Sequence, residues 1–386
     1  MVERVILRLT ILPRTRRLLA VFVTSVVTSL AGACAPARMA VTEGVAPPPG
    51  LPVLTFLSEF TRPSGTVYPQ LQDSTKFGSM SGLARDAASG EWLSVIDDRA
   101  GTRVAWLSIR MHEGHLEMAP SRLQSLRAGP GVAARTATAA DLEAVVALPD
   151  GTFLMSEEGH LTKDGVWPPA ILQVTRDGLV TGVTSFPPEF QISAGGKSGL
   201  RDNQGFESLT RTPGGRLIAG LEQPLLDQPI TTTERGGNGR LIEFEPHGKT
   251  WRPGRHWSYV ISPTRTVPGF PVPCNGGENG LVELLALTET TLLAMERACW
   301  LDAAALEPAN TIQIFAVTLE GTTARKTLLL DLATLTPKLS PALAHLDNFE
   351  GLALGPPVNG RPTLLVMSDD NFRPTQKTSL LLFEMR

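Results

Sequence analysis

The 386-residue chain has little cysteine, histidine or tyrosine: three, six and two residues respectively. Three cysteines cannot form the framework of a disulfide-stapled scaffold. The histidines, His112, His115, His160, His247, His256 and His345, show no metal-ligand spacing such as H-E-x-x-H and read as surface or packing residues. Lys and Arg number 35 against 38 acids, a net charge of −3, so the basic excess of a nucleic-acid binder is missing. No stretch approaches the ~18 apolar residues that a spanning helix needs. Two enzyme signatures also fail. Gly78-Ser79-Met80-Ser81-Gly82 has methionine where a nucleophile elbow carries serine, and Gly195-Gly196-Lys197-Ser198 ends like a phosphate loop but has Gln191 at its first glycine.

Glycine (36) and proline (31) are abundant instead. Both break helices and build turns, so a strand-rich fold with many turns is expected. With 42% hydrophobic and 19% charged residues the chain can form an ordinary core.

The amino terminus reads as an export signal. Arg14, Arg16 and Arg17 precede the apolar run Leu18 to Leu30, and Ala31-Gly32-Ala33-Cys34 follows. Two processing routes fit: an A-x-A signal-peptidase site, or a lipobox that would acylate Cys34. In the second, the aliphatic residue stands four positions before the cysteine, where three is usual. A weak twin-arginine pattern, Thr15-Arg16-Arg17-Leu18-Leu19, is also present. The expected product is exported, either periplasmic or secreted, or held at the outer membrane by lipid. Residues 1–33 form the signal, 34–50 a Pro-rich tether and 51–386 the functional domain. Without residues 1–33, which hold five basic residues and one acid, 30 basic and 37 acidic residues remain, a net −7.

Within residues 51–386 one phrase recurs five times: an acidic or small polar residue, a few apolar residues, a turn, an apolar strand, and one or two acids. The copies run from Ser81 to Asp97-Asp98, Glu143 to Glu157-Glu158, Glu207 to Glu222, Glu283 to Glu296, and Glu350 to Asp369-Asp370. Pro149-Asp150-Gly151 and Pro213-Gly214-Gly215 supply hairpin turn chemistry. The starts lie 62, 64, 76 and 67 residues apart, and a period of that size implies a radial or stacked array. An all-β propeller follows, with five marked repeats and five or six blades. Segments near Leu54 and Leu380 would close the ring and remove its exposed edges.

A residue recurring at one position of every blade tends to encircle the axis. Glu143, Glu207, Glu283 and Glu350 would converge, with Asp97, Asp98, Glu157, Glu158, Glu222, Glu296, Asp369 and Asp370 near the partner-strand ends. Crowded carboxylates repel, so cations must neutralise them or protons and arginines must. Hard oxygen ligands without clustered His or Cys point to Ca²⁺ or Mg²⁺. In the plainer alternative each glutamate caps a turn. Arg99, Arg201 and Arg297 stand beside the acids as phosphate contacts, or as their salt-bridge partners; Lys197, Asn203, Asn371 and Arg373 are interleaved with them. Cys274 and Cys299 flank one hairpin, at the same open end, and are expected to pair.

These phrases resemble the phytase-like family described as having esterase-like activity of phytase. The resemblance rests on Gly78-Ser-Met-Ser-Gly-Leu-Ala with Ile96-Asp-Asp-Arg, Asp141-Leu-Glu-Ala-Val with Ser156-Glu-Glu-Gly, Asn203-Gln-Gly-Phe-Glu-Ser-Leu with Leu221-Glu-Gln-Pro-Leu, and Asn348-Phe-Glu-Gly-Leu-Ala with Ser368-Asp-Asp-Asn-Phe. It implies a secreted β-propeller and suggests hydrolysis of phosphate esters, with Ca²⁺ as in β-propeller phytases; separately, a small-molecule ester substrate and a monomer are expected. Asp97, Asp98, Glu143, Glu157, Glu207, Glu222, Glu283, Glu296, Glu350, Asp369 and Asp370 are the candidate metal ligands, and Glu207, Arg99, Arg201 and Arg297 the candidate catalytic residues. The family pattern departs at Ser81, where the other repeats carry glutamate. Two other functions stay open: a non-catalytic propeller binding a ligand or a protein around structural metals, and a carboxylic-ester hydrolase or lactonase.

Overall fold

The computed structural model describes residues 50–386 apart from 164, 194, 249, 275–277 and 305–306. The export signal, Cys34 and nearly all of the tether lie outside the described residues. Among the described residues no helix is long and apolar enough to cross a membrane.

Five units of four antiparallel strands make up most of the domain, beside a short pair, His160–Thr162 with Gly165–Trp167; the third and fourth units, sheets III and IV, are joined edge to edge by the parallel pairing Ser258↔Thr323 and Tyr259↔Ala324. Sheet I comprises Met80–Arg85, Trp92–Ile96, Arg103–His112 and His115–Ser125; sheet II comprises Leu142–Ala147, Phe153–Glu157, Ala170–Val174 and Leu179–Ser185, with Arg127–Ala128 added in parallel at its edge. Ser208–Arg211, Leu217–Gly220, Gly237–His247 and Thr250–Ile261 build sheet III, and Asn279–Ala286, Thr291–Leu301, Pro308–Glu320 and Thr323–Asp331 build sheet IV. In sheet V, Asn348–Leu354, Thr363–Asp369 and Lys377–Met385 take their fourth strand from the other end of the chain, Leu54–Pro63, which pairs with Lys377–Met385 from Leu54↔Met385 to Pro63↔Lys377. All five repeats thus occupy equivalent places, as the first two strands of each sheet. No sixth sheet of this kind occurs among the described residues; the repeat length is taken up by connections such as residues 186–207 and 332–347.

One apolar cluster lies between each pair of neighbouring sheets, which explains why the strands read as nearly continuous apolar runs. Trp106, Leu142, Phe153 and Leu172 join sheets I and II, and Leu154, Phe206, Leu217 and Phe244 join II and III. Trp257, Tyr259, Leu284 and Phe315 join III and IV; Met295, Ile314, Val366 and Phe383 join IV and V. Phe60, Leu382, Met80 and Trp92 join V and I.

The first strands of the sheets are mutual neighbours around the axis. Their closeness demands glycine: a Cβ on Gly82 would lie 2.6 Å from the Ala144 Cα, and one on Gly351 would lie 2.8 Å from the Ser81 carbonyl oxygen.

A carboxylate cavity at the sheet axis

The register of the inner hairpins decides which acids reach the axis. In sheet II the pairing steps from Leu142↔Glu157 to Val145↔Met155, and in sheet V from Phe349↔Ser368 to Gly351↔Met367. Each inner strand thus carries one extra residue, and such a bulge re-aims the side chain within it. Glu143 and Glu350 occupy that position; Ser81 is its counterpart in sheet I and Glu207 in sheet III. On the partner strands the register aligns Asp97, Glu158, Glu222, Arg297 and Asp369, one from each sheet.

Of these residues all but Ser81 and Glu158 line a cavity of about 150 Å³. Asp97, Glu143, Glu207, Glu222, Glu278, Glu350 and Asp369 contribute seven carboxyls to its wall, and Arg297 is the basic residue facing them. Asn203, Gln204, Asn348 and Asn371 add amides. Asn203 and Asn371 both adopt left-handed backbone (φ +56° and +47°), a conformation asparagine tolerates better than most side chains. Cys274 and Cys299 are joined by a disulfide with 5.2 Å between Cα atoms, and it forms part of the same wall.

Crowding and burial push the carboxyls toward their neutral forms. Burial, then Asp141, raises Asp97 to about 8. Glu143 lies well above the usual range through burial, Glu207 and Asp97; Glu207 does so through burial, Glu222 and Glu158. Glu158 and Asp369 are raised in the same way, burial first, then Asp141 and Glu350 respectively. Burial takes Glu222 only to about 7 because Arg297 opposes it. Arg297 lies 2.9 Å from Glu350 and 3.7 Å from Glu222 and also donates to the Asn348 side chain. Burial alone would lower its affinity for a proton, but these carboxyls outweigh it. Its Nε has no hydrogen-bond partner among the described residues.

Five of the expected ligands are held elsewhere. Glu283 follows the extra residue of its strand, since Leu281↔Glu296 is followed by Glu283↔Met295. That one-residue offset places Val282 at the position of Glu143 and Glu350, and a shift of one residue reverses the face. The Glu283 carboxylate accepts the Leu284 N–H at 2.9 Å and lines a separate groove with Arg85 and Arg211. Glu296, one residue before Arg297, accepts from the Tyr259 hydroxyl (2.6 Å), Ser262 N–H (3.0 Å), Asn279 amide (2.8 Å) and Lys326. Glu157 stands at the matching position in sheet II and accepts the Asp141 N–H at 2.8 Å. Asp98 accepts from Arg103 at 2.6 Å and from the Ala100 N–H at 2.8 Å. Asp370 accepts from the N–H groups of Ser79 and Phe372 and from the Thr378 hydroxyl.

The arginines divide similarly. Arg99 donates to the carboxylate of Asp141 and to the side chain of Asn203, a residue of the cavity wall. Arg201 instead donates to the backbone carbonyls of Pro224 (2.9 Å) and Gln228 (2.8 Å), and so braces a loop.

The sequence pattern does not single out Asp141, Glu278, Gln204 or Asn348 as site residues, and it includes Glu158 only among the acids near the partner-strand ends. Asp141 and Asn348 stand two residues before Glu143 and Glu350, on the same strand face by the two-residue period; that spacing was the available signal. Asp141 is fully buried and its Oδ1 has no hydrogen-bond partner among the described residues, as is true of Glu158 and its Oε2. Carboxylate oxygens of Asp97, Asp141 and Glu143 lie within 4.8 Å of one another, and so do those of Glu143, Glu158 and Glu207. Unpartnered hard oxygens at this spacing fit a Ca²⁺-type ion, whose bonds are 2.3–2.6 Å long.

No curated protein matches the chain. Among solved structures the chain is similar to a β-xylosidase named RS223 (9% identity, 85% of this chain and 95% of that one, TM-score 0.42). A putative glycosidase from Bacteroides thetaiotaomicron (9% identity, 86% and 96%, TM-score 0.41) and a gluconolactonase from Xanthomonas campestris (9%, 81% and 74%, 0.35) also match. The model of the phytase-like family, described as esterase-like activity of phytase, matches residues 75–372, and the chain belongs to that family.

Proposed function

We propose that the protein is an exported hydrolase of small phosphate esters, with Ca²⁺ held by the carboxylates of the axial cavity. The observation that supports this most is charge: seven carboxyls face Arg297 in a cavity of about 150 Å³, an arrangement that repels phosphate until cations enter. When bound, Ca²⁺ supplies a positive centre that neutralises phosphate charge and lowers the pKa of an attached water.

The chain's own residues do the rest. Asp97, Glu143, Glu207, Glu222 and Asp369 offer the ligand oxygens. Asn203, Asn348 and Asn371 orient without adding charge. Arg99, whose side chain is 41% exposed and bonds the wall residue Asn203, would be the first cation an incoming phosphate meets, and the Arg297 Nε, without a partner among the described residues, would offer a donor deeper in. Donors fixed in advance stabilise charge that develops on phosphate oxygens. Glu207, which faces the cavity from the inner strand of sheet III, is the carboxylate whose loss should abolish turnover.

The test is release of product from nitrophenyl phosphate, bis-nitrophenyl phosphate, phytate and nitrophenyl acetate by the purified protein, with calcium or with chelator, beside Glu207→Gln. Calcium-dependent phosphate release lost in the variant is expected. Cleavage of the acetate alone would favour a carboxylic-ester hydrolase or lactonase. No turnover, with calcium raising the melting temperature, would favour a ligand-binding propeller with structural metal. Export and lipidation at Cys34 belong to the same reading; mass spectrometry of the mature amino terminus distinguishes a diacylated Cys34 from a chain cut after Ala33.

A further inference from the structure

We propose that the cavity holds two cations rather than one, bridged by the carboxylate of Glu143. This rests on the cation-holding reading above and goes beyond it in number and in the division of ligands. Two trios of carboxylates meet the spacing for one ion each, Asp97–Asp141–Glu143 and Glu143–Glu158–Glu207, and Glu143 belongs to both. Oxygens within 4.8 Å of each other match ligands on opposite sides of one ion with bonds near 2.4 Å. The five carboxylates fall into two such groups, each with its own place for an ion.

Hydrogen bonding on each trio leaves oxygens over for a second kind of partner. Asp141 gives one oxygen to Arg99 and its Oδ1 meets no donor; Glu158 accepts the Gly205 N–H at 2.7 Å and its Oε2 meets none. Glu143 accepts the Ser81 hydroxyl at 3.0 Å through Oε2. Serine at position 81, where the other repeats favour glutamate, therefore supplies a donor that steadies the bridging carboxylate without adding charge.

Charge counting favours the pair. Five ionised carboxylates carry five negative charges, and Arg99, bonded to Asp141, returns one. Within the two trios alone, one divalent ion would leave two negative charges uncompensated, which is costly for buried groups, and two ions would balance the five carboxylates and Arg99. The two places differ in access. Glu158 and Asp141 are fully buried, but Asp97 is partly exposed and stands beside Arg99. The ion on Asp97, Asp141 and Glu143 is the one a substrate would meet, and the ion on Glu158 and Glu207 is the deeper one.

Equilibrium dialysis of the purified protein against radioactive calcium tests this without reference to turnover. Two ions per chain are expected, falling to one in Asp141→Asn and to one in Glu158→Gln, and to one or none in Glu143→Gln. Co-loading with europium and neodymium gives a second readout: bridged ions lie close enough for the europium emission lifetime to shorten. One ion per chain in the wild type, or two with no lifetime change, overturns the bridged pair while cation binding survives. No bound calcium overturns both readings. The wild-type count and lifetime decide the matter even if a variant fails to fold.

Discussion

Replacing Arg297 by methionine is the sharpest test of how the cavity is held together. The guanidinium stands 2.9 Å from Glu350 and 3.7 Å from Glu222, its side chain only 16% exposed. Methionine keeps most of the volume and removes the charge. Breaking a buried ion pair from one side costs about 3–5 kcal/mol because the remaining charge is left uncompensated. At about 2 °C per kcal/mol for a large domain, the melting temperature should fall by ~6–10 °C. The cost must depend on pH in a stated direction. Glu222 titrates at about 7, above the ordinary carboxyl value because of burial and despite Arg297. Below pH 7 it is largely neutral and needs the arginine little; above pH 7 it is ionised and needs it fully. In chelator, the loss should be full at pH 8.5 and half of that or less at pH 5.5. Equal losses at the two pH values, or a loss below about 1 kcal/mol at pH 8.5, would refute the assignment of Arg297 as the counter-charge of the cavity.

The metal-free protein should itself lose stability as pH rises. Asp97 is raised to about 8 and Glu222 to about 7, so their contribution is fully present below their unfolded values near 4 and disappears as pH passes 7 to 8; melting curves in chelator should fall across that window, and calcium should reverse the fall at pH 8. A melting temperature that rises from pH 5 to 8 in chelator would contradict this. Glu283→Gln should leave the number of bound calcium ions unchanged, since its carboxylate lies in another groove, and dialysis checks it. Arg201→Ala should lower the melting temperature through loss of its carbonyl contacts with KM unaltered, whereas Arg99→Ala should raise KM for a phosphate ester several-fold. Replacing Cys274 and Cys299 together by alanine opens a link between residues 25 apart, worth about 3.5 kcal/mol by loop entropy, and urea unfolding measures the loss.

The hairpins were legible because their signals are local. Pro149-Asp150-Gly151 forces a turn whatever surrounds it, and the spacing from Ser81 to Glu350 counts sheets without knowing how they pack. The destination of each acid was not local. Glu283 aligns with Glu350 in sequence but follows the extra residue of its strand, so Val282 takes the axial position. Of the adjacent acids Asp97-Asp98 and Asp369-Asp370 the first of each pair lines the cavity, but of Glu157-Glu158 it is the second that takes the aligned register position, because strand register decides and not order. Arg201 is near Glu207 in sequence, yet its guanidinium finds the carbonyls of Pro224 and Gln228; short polar loops offer unpaired carbonyls that no sequence pattern announces.

The bulges connect these observations. Glu143 and Glu350 lie at the extra residue of their inner strands; among the leucines and valines that fill the spaces between sheets an ionised carboxylate would have no compensation. One extra residue per inner strand turns them to the axis while the rest of the strand keeps its apolar contacts. The result is stable sheets around a centre whose charges oppose one another. Groups such as Glu296, with four donors, show that this fold can satisfy a buried carboxylate completely. Asp141 and Glu158 each leave one oxygen without a partner among the described residues. Donors within the fold account for Glu296; the proposed cations would account for the two oxygens that no donor reaches among the described residues.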